Sequence, residues 1–320
     1  QEGFSGNLYI TIFDKEDSIE TLLNDEASLP FQYATWQKII FRGEASIAND
    51  SFSFTFPVPK DIKYQVGKGR MVFFATDGKQ YFSYDNKNII VGGINNNVAK
   101  NYEGPTIQLF MNDTNFVSGG ITDSQPALLA HIKDENGINS TGNGIGHDIT
   151  AVLDGDLLNT FVLNDYYRNS IDSYQEGTVY YPFSEIETGK HQIKLMVWDI
   201  FNNYSEANID FEVVNSESPT LKKIYNYPNP MRNSTSFVLE HNWPDKNLKV
   251  EIMIYSMTGE RVASLKYQGS FAGYKTAPIN WDGTNQNGTK VFPGIYIYKA
   301  VITDTDNQQS SNFGKLVIVR

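Results

Sequence analysis

Alternation of apolar and polar side chains is the main pattern along this chain, and it predicts β-strands from one end to the other. The clearest example is Ser51–Phe56, where an aromatic residue stands at every second position, as expected for a strand with one buried face. A short helical pattern is confined to residues 18–24. Strands are predicted at 7–13, 37–41, 51–56, 69–75, 104–110, 127–132, 149–153, 191–198, 209–214, 234–239, 249–255, 260–265 and 295–302.

Turn and linker signals divide these strands into three segments. Residues 215–220, Asn-Ser-Glu-Ser-Pro-Thr, combine small polar residues with a proline and form the clearest linker. In the last segment, Thr258-Gly259, Asp282-Gly283 and Asn287-Gly288 are the dipeptides typical of tight turns between antiparallel strands. The sequence therefore predicts an all-β protein of tandem immunoglobulin-like antiparallel β-sandwich domains, with boundaries at 1–103, 104–215 and 216–320.

Composition limits the function. The chain has 320 residues with 40% hydrophobic content, which is enough for two or three separate cores. A net charge of −11 without a Lys/Arg cluster argues against a nucleic-acid partner. No apolar run reaches the roughly 20 residues needed to span a bilayer. The first residue is Gln1 rather than methionine, and its surroundings are too polar for a signal peptide, so we expect a mature or excised piece of a longer protein.

Motifs for catalysis are not found in the sequence. It contains no cysteine, which excludes disulfides, thiolate zinc sites and a cysteine nucleophile within these residues. His131, His147, His191 and His241 lack the spacing of a metal pair, and His131 and His191 are predicted to be face residues of strands. The glycine-rich stretch 142–146 lies between strands, which argues against a dinucleotide site. We expect no active site and no cofactor in this chain.

Two binding hypotheses arise from local composition. Asp134, Glu135 and Asp148 flank a glycine-rich loop and carry the oxygen ligands that calcium takes, but ordinary turns use the same residues, and we favour turns. A similar choice applies at Asp282, Asn285 and Asn287, where we also predict a turn, with Trp281 as a core residue. The second hypothesis is carbohydrate binding by stacking, against the alternative that the aromatic residues are buried. The tyrosines in question are Tyr166, Tyr167, Tyr180, Tyr181, Tyr296 and Tyr298.

The last segment carries a recognisable order of motifs. Tyr227-Pro-Asn-Pro230, Val250–Gly259, Trp281-Asp-Gly-Thr284, Pro293–Tyr298 and Lys315–Arg320 follow one another as in the C-terminal sorting domains of the type IX secretion system, which this segment resembles. That family implies delivery across a bacterial outer membrane and retention at the cell surface.

The middle segment makes the resemblance more specific. Asp134–Asn139, Gly142–Ile149, Val162–Tyr167, Tyr174–Phe183 and Trp198–Ala207 resemble the region that follows the catalytic domain in type IX sortases, the PorU family of gingipain-like C25 cysteine peptidases. The resemblance implies a cell-surface enzyme that removes sorting domains from cargo proteins. It also implies a retained C-terminal domain that docks on an outer-membrane β-barrel of PorV type. The caspase-like catalytic domain is not among these residues, so no catalytic residue carries over.

The expected docking residues lie at the two ends of the last segment. They are Tyr227, Pro228, Asn229, Pro230, Lys315 and Arg320. The alternative for Tyr227–Pro230 is that the two prolines only fix the backbone. The alternative for the tail, Lys315–Arg320, is that the last strand only completes a sheet. Two other functions stay open: a cargo adhesin or peptidase whose sorting domain is cleaved off near Tyr227, and a carbohydrate-binding module.

Overall fold

The structure is a computed structural model, which describes residues 3–22, 29–95, 101–142, 144, 146–214, 220–244, 246–271 and 273–319. Within these ranges the chain is all-β, as predicted, with strands paired almost entirely antiparallel. The only regular helical turns among the described residues are two short 3₁₀ turns, Leu157–Asn159 and Asn164–Tyr166. None of the described helical turns has the length and apolar character to cross a membrane.

The first ninety residues form one four-stranded sheet in the order β4–β1–β5–β6 and a separate hairpin, β2–β3. The strands are β1 (Gly6–Phe13), β2 (Asp17–Glu20), β3 (Gln32–Thr35), β4 (Ile39–Ile47), β5 (Gly67–Thr76) and β6 (Tyr81–Val91). Leu8, Ile10 and Ile12 alternate along β1 and are almost completely buried, so one face of the sheet carries the core.

Two predictions in this part were wrong. Ser51–Phe56 is extended but does not form a strand, since only Ser51 makes a bridge, to Ala48. Its alternating aromatic rings instead cover the sheet: the rings of Phe41 and Phe56 stack at 4.7 Å, and Phe54 meets Phe73 edge-on at 6.1 Å. Alternation thus reported the buried face correctly, but it carries no information about whether the backbone has a partner.

The second wrong prediction is the helix at 18–24. Its described first part belongs to β2, where Asp17–Glu20 pair with Gln32–Thr35. Residues 23–28 lie outside the described part of the chain.

The middle segment has two sheets, in the orders β11–β10–β14–β15–β8 and β12–β13–β9–β7. Its strands are β7 (Thr106–Met111), β8 (Gly120–Thr122), β9 (Ala127–Lys133), β10 (Thr150–Leu153), β11 (Thr160–Val162), β12 (Tyr167–Asn169), β13 (Glu176–Pro182), β14 (Gly189–Trp198) and β15 (Tyr204–Val213). The β15–β8 pair is parallel. His131 and His191 stand on β9 and β14, as predicted for face residues of strands.

The last segment is a sandwich of a three-stranded sheet, β16–β17–β20, and a four-stranded sheet, β19–β18–β21–β22. Its strands are β16 (Leu221–Tyr227), β17 (Thr235–His241), β18 (Asn247–Ser256), β19 (Arg261–Ser270), β20 (Ile279–Trp281), β21 (Gly294–Thr303) and β22 (Gln309–Ile318). Inward side chains of both sheets form one core, in which Phe237 meets Tyr298 edge-on at 4.9 Å. We call this segment the C-terminal sandwich.

Turn chemistry in the C-terminal sandwich follows the prediction. Gly259, Gly283 and Gly288 all adopt positive φ angles, which only glycine takes without strain. Asp282 and Asn285 accept hydrogen bonds from the backbone of the residues after them, so they make turns. Trp281 is buried, as predicted, and donates its indole N–H to the carbonyl of Thr284.

The chain folds into two compact units. One comprises 1–109, 128–181 and 192–209; the other comprises 110–127, 182–191 and 210–320. The C-terminal sandwich therefore shares a unit with segment 110–127, which contains β8. The boundaries at 103 and 215 stay a prediction, and residues 215–219 of the expected linker lie outside the described chain.

Candidate functional site

The predicted docking segment Tyr227–Pro230 lies against the last strand. The side chain of Asn229 donates a hydrogen bond to the carbonyl of Lys315 (2.7 Å) and accepts one from the amide of Val317 (2.9 Å). The amide side chain thus occupies the place that a neighbouring strand would take beside β22. The structure brings Asn229 and Lys315 together although 86 residues separate them.

A buried polar network holds this loop in place. Asn226 donates to the hydroxyl of Thr235 (3.0 Å), and that hydroxyl donates to the carbonyl of Pro228 (2.9 Å). Asn226 and Thr235 are both buried, and buried polar groups contribute to stability when each is hydrogen-bonded. Asn229 has a structural role through its own two bonds to β22, and its role in docking stays a prediction.

The other docking candidates are exposed at the surface. Tyr227 keeps 79% of its surface exposed, and Pro228, Pro230 and Lys315 are exposed as well. Arg320 lies outside the described residues. Exposed apolar side chains continue across the outer face of the four-stranded sheet, interrupted by lysines; they are Phe292, Ile295, Ile297, Phe313 and Val319.

Replacing Asn229 by alanine is expected to lower the free energy of unfolding of the C-terminal sandwich by about 1–2 kcal/mol, because two hydrogen bonds to β22 disappear. Urea unfolding of the full chain, read by a brief deuterium pulse and mass spectrometry of peptides from β18, measures this sandwich separately. The matched control is Tyr227→Ala, which removes an exposed ring and should change stability by less than about 0.5 kcal/mol. Equal midpoints for Asn229→Ala and the natural chain would contradict the assignment.

The calcium candidates do not form a common site. Asp134 accepts hydrogen bonds from the amides of Asn136 (2.7 Å) and Gly137 (3.1 Å), which is the turn that the sequence favoured. Burial, together with the charge of Asp199, raises the pKa of Asp134. Glu135 accepts from the side chain of Asn101 (2.9 Å) instead.

Asp148, the third candidate, has a pKa raised by burial, which makes its charged form costlier. Across the described part of the chain, no group of three or more His, Asp or Glu residues is placed to hold a metal ion. Calcium binding by Asp134, Glu135 and Asp148 stays the less favoured of the two hypotheses, beside ordinary turns.

A polar cluster around Asp61 was missed by sequence reasoning. Its carboxylate accepts hydrogen bonds from Nδ1 of His147 (2.7 Å) and from the side-chain Nδ2 atoms of Asn139 (3.1 Å) and Asn202 (3.0 Å). Burial works to raise the pKa of Asp61, but these hydrogen bonds outweigh it and hold the pKa below its usual value. His147 also packs against Trp198 at 4.4 Å. The cluster joins residues up to 141 positions apart, and no short motif announces it.

The tyrosines named for sugar stacking do not form a flat platform. Tyr167, Tyr296 and Tyr298 are buried. Tyr166 and Tyr181 meet at 84°, so their ring faces point in different directions. Stacking of a sugar chain needs several exposed, coplanar rings, and this set lacks them.

The C-terminal sandwich is hydrogen-bonded to segment 110–127 of the same compact unit. The hydroxyl of Tyr274 donates to Asp123 (3.0 Å), and the ammonium of Lys275 donates to the carbonyl of Asn115 (3.0 Å). Lys222 donates to the carbonyl of Gly119 (2.7 Å). Burial and the charge of Asp123 raise the pKa of Tyr274, so its hydroxyl keeps the proton that it donates.

Comparison with known proteins finds similarity to several solved structures. The chain is 31% identical to dimeric latent PorU from Porphyromonas gingivalis, with a TM-score of 0.39, over 99% of this chain and 30% of that chain. Fibronectin(III)-like modules of CbhA from Clostridium thermocellum match with 11% identity and a TM-score of 0.26, over 66% of this chain and 94% of theirs. The FN1–FN3 domains of chicken CNTN1 match with 11% identity and a TM-score of 0.24, over 100% of this chain and 97% of theirs. No family model and no curated protein matches the chain.

Proposed function

We propose that this chain is the non-catalytic C-terminal region of a type IX secretion sortase related to PorU. Its C-terminal sandwich holds the protein at the extracellular face of the outer membrane by binding a β-barrel of PorV type. The observation that carries the proposal is the 31% identity to PorU over 99% of the chain. Because the chain spans 30% of that PorU chain, the peptidase activity and the contact with cargo belong to residues outside these 320, which contain no cysteine.

The hydrogen bonds between the C-terminal sandwich and segment 110–127 support a retained domain rather than a removable one. Cleavage and release of the C-terminal sandwich would break the bonds of Tyr274, Lys275 and Lys222 and expose the half-buried ring of Tyr274. A cargo protein whose sorting domain is discarded has no use for such bonds. We therefore favour the anchor over the cleaved cargo adhesin or peptidase.

Binding to the barrel tests the proposal directly. The full 320-residue chain is immobilised and exposed to a purified PorV-type barrel in detergent micelles, with an outer-membrane barrel from outside the secretion system as the control. Saturable binding to the first barrel and none to the second is expected. Equal responses to both barrels would overturn the anchor.

Retention is tested separately on the protein isolated from cells. Mass spectrometry of the surface-exposed form should recover peptides from both sides of Tyr227 in one polypeptide. A mature chain that ends just before Tyr227 would instead identify a cleaved cargo protein.

A further inference from the structure

One side of the C-terminal sandwich is closed by hydrogen bonds. Along β22, the side chain of Asn312 donates to the carbonyl of Lys222 (2.8 Å), and the amide of Leu221 donates to the hydroxyl of Ser310 (2.9 Å). Further along, Met231 donates its amide to the carbonyl of Val317 (2.8 Å), beside the bonds of Asn229. The backbone at the end of β22 is therefore already bonded from Lys315 to Val319, and the first half of the strand is tied to β16 through the side chains of Ser310 and Asn312.

The opposite side, between β19 and β20, is open. Within the described residues β19 pairs only with β18, and the three-residue strand β20 pairs only with β17. Two neighbouring grooves follow β19 along this side, of about 550 Å³ beside Leu265 and about 470 Å³ beside Tyr267. We call this side the β19 seam.

Apolar side chains line both grooves of the β19 seam, and polar residues such as Asn280 and Gln286 complete the lining of the groove beside Leu265. Ala263, Leu265 and Tyr267 of β19 line the seam from one side, and Trp281 and Pro278 from the other. Soluble proteins commonly protect an edge strand with an inward-pointing charge. The two charged residues of β19 do not provide this protection along the strand: Lys266 lies on the outer face beside Glu251, and Arg261 stands at the first position, paired with Tyr255.

The rim of the seam is acidic. Asp282 lines the first groove, with the ammonium of Lys290 4.0 Å from its carboxylate, and Asp113 and Glu240 line the second. Lys275 also lines the second groove, but its ammonium is directed to the carbonyl of Asn115. A ligand that fits this seam has apolar groups on one face, basic groups on the other and a backbone that pairs with an edge strand.

We propose that the β19 seam accepts an extended strand of a protein partner, with apolar residues at alternate positions and Lys or Arg between them. The strand adds to β19 by backbone hydrogen bonds, its apolar side chains fill the two grooves, and its basic side chains meet the acidic rim. This inference rests on the proposed function, because it places the strand on the PorV-type barrel. It moves the contact from Tyr227–Pro230 and Lys315, on the closed side, to β19.

Hydrogen–deuterium exchange of the full chain, alone and with saturating PorV-type barrel, tests the seam without any substitution. Amides of residues 261–270 are expected to exchange at least about tenfold more slowly in the complex, while residues 309–319 change little. Binding without protection of 261–270 would overturn the seam and leave the anchor standing. Failure of the natural chain to bind would overturn both.

A pair of variants on β19 gives an independent readout. Leu265→Lys puts a charge into the seam and should weaken barrel binding at least about tenfold. Lys266→Ala, on the other face of the same strand, should leave it within about twofold. Equal binding by both variants would overturn the seam, as would concentration-dependent dimerisation of the chain alone that protects 261–270, since a second copy would then be the occupant.

Discussion

Lowering the pH from 7 to 4.5 is expected to destabilise the C-terminal sandwich by roughly 2 to 3 kcal/mol through His241 alone. His241 ends β17 and is completely buried. Its Nδ1 accepts a hydrogen bond from the amide of Trp243 (3.2 Å), and its Nε2 has no hydrogen-bond partner among the described residues. The surroundings of His241 therefore favour the neutral form of its imidazole ring.

The sign of the effect follows from the two protonation equilibria. Burial lowers the pKa of His241 in the folded state from 6.5 to about 4. Between these values the unfolded chain binds a proton that the folded chain does not, so stability falls as the pH drops through 6.5 towards 4. Above pH 7 the histidine is neutral in both states and contributes no pH dependence.

The measurement is the urea midpoint of the sandwich at pH 7 and at pH 4.5, read on β18 peptides after a brief deuterium pulse at one common pH. His241→Asn keeps an acceptor for the Trp243 amide but cannot titrate. The free energy of unfolding of the natural chain minus that of the variant should fall by roughly 2 to 3 kcal/mol from pH 7 to pH 4.5. A constant difference would show that His241 does not titrate in this window.

Replacing Gly314 by alanine is expected to destabilise the same sandwich by about 3 kcal/mol. Gly314 of β22 pairs directly with Tyr298 of β21, whose ring covers the position where a β-carbon would stand. Tyr298 is only 2% exposed and packs edge-on against Phe237, so it cannot turn away without disturbing the core. Burial also raises the pKa of Tyr298.

Two controls separate this overlap from a general effect on β22. Lys315→Ala alters the neighbouring exposed position and should change stability by less than about 0.5 kcal/mol. The double variant Gly314→Ala with Tyr298→Leu should lose less than the sum of its single changes, because the smaller side chain makes room. Strict additivity in that cycle would contradict a clash between residues 314 and 298.

Short-range sequence features determined much of the fold. Period-two alternation located strands such as β1, β5 and β18, because an extended backbone places successive side chains on opposite faces. Asp282-Gly283 and Asn287-Gly288 marked turns because glycine adopts positive φ without strain. The candidate site was predicted only in part: the sequence pointed to Asn229 and Lys315 as docking residues, which stays a prediction, but it did not reveal the hydrogen bond between them.

Features that depend on partners distant in sequence were decided only by the tertiary structure. Residues 51–56 alternate like a strand, yet their backbone faces no neighbouring ladder. The bonds of Asp61 to His147 and of Asn229 to Val317 join residues more than 80 positions apart, and local pattern cannot encode such pairings. The same holds for the edges of the C-terminal sandwich. Alternation showed that β19 is a strand, but only packing decided that the end of β22 is bonded to Asn229 and Met231 while β19 has no partner besides β18 among the described residues.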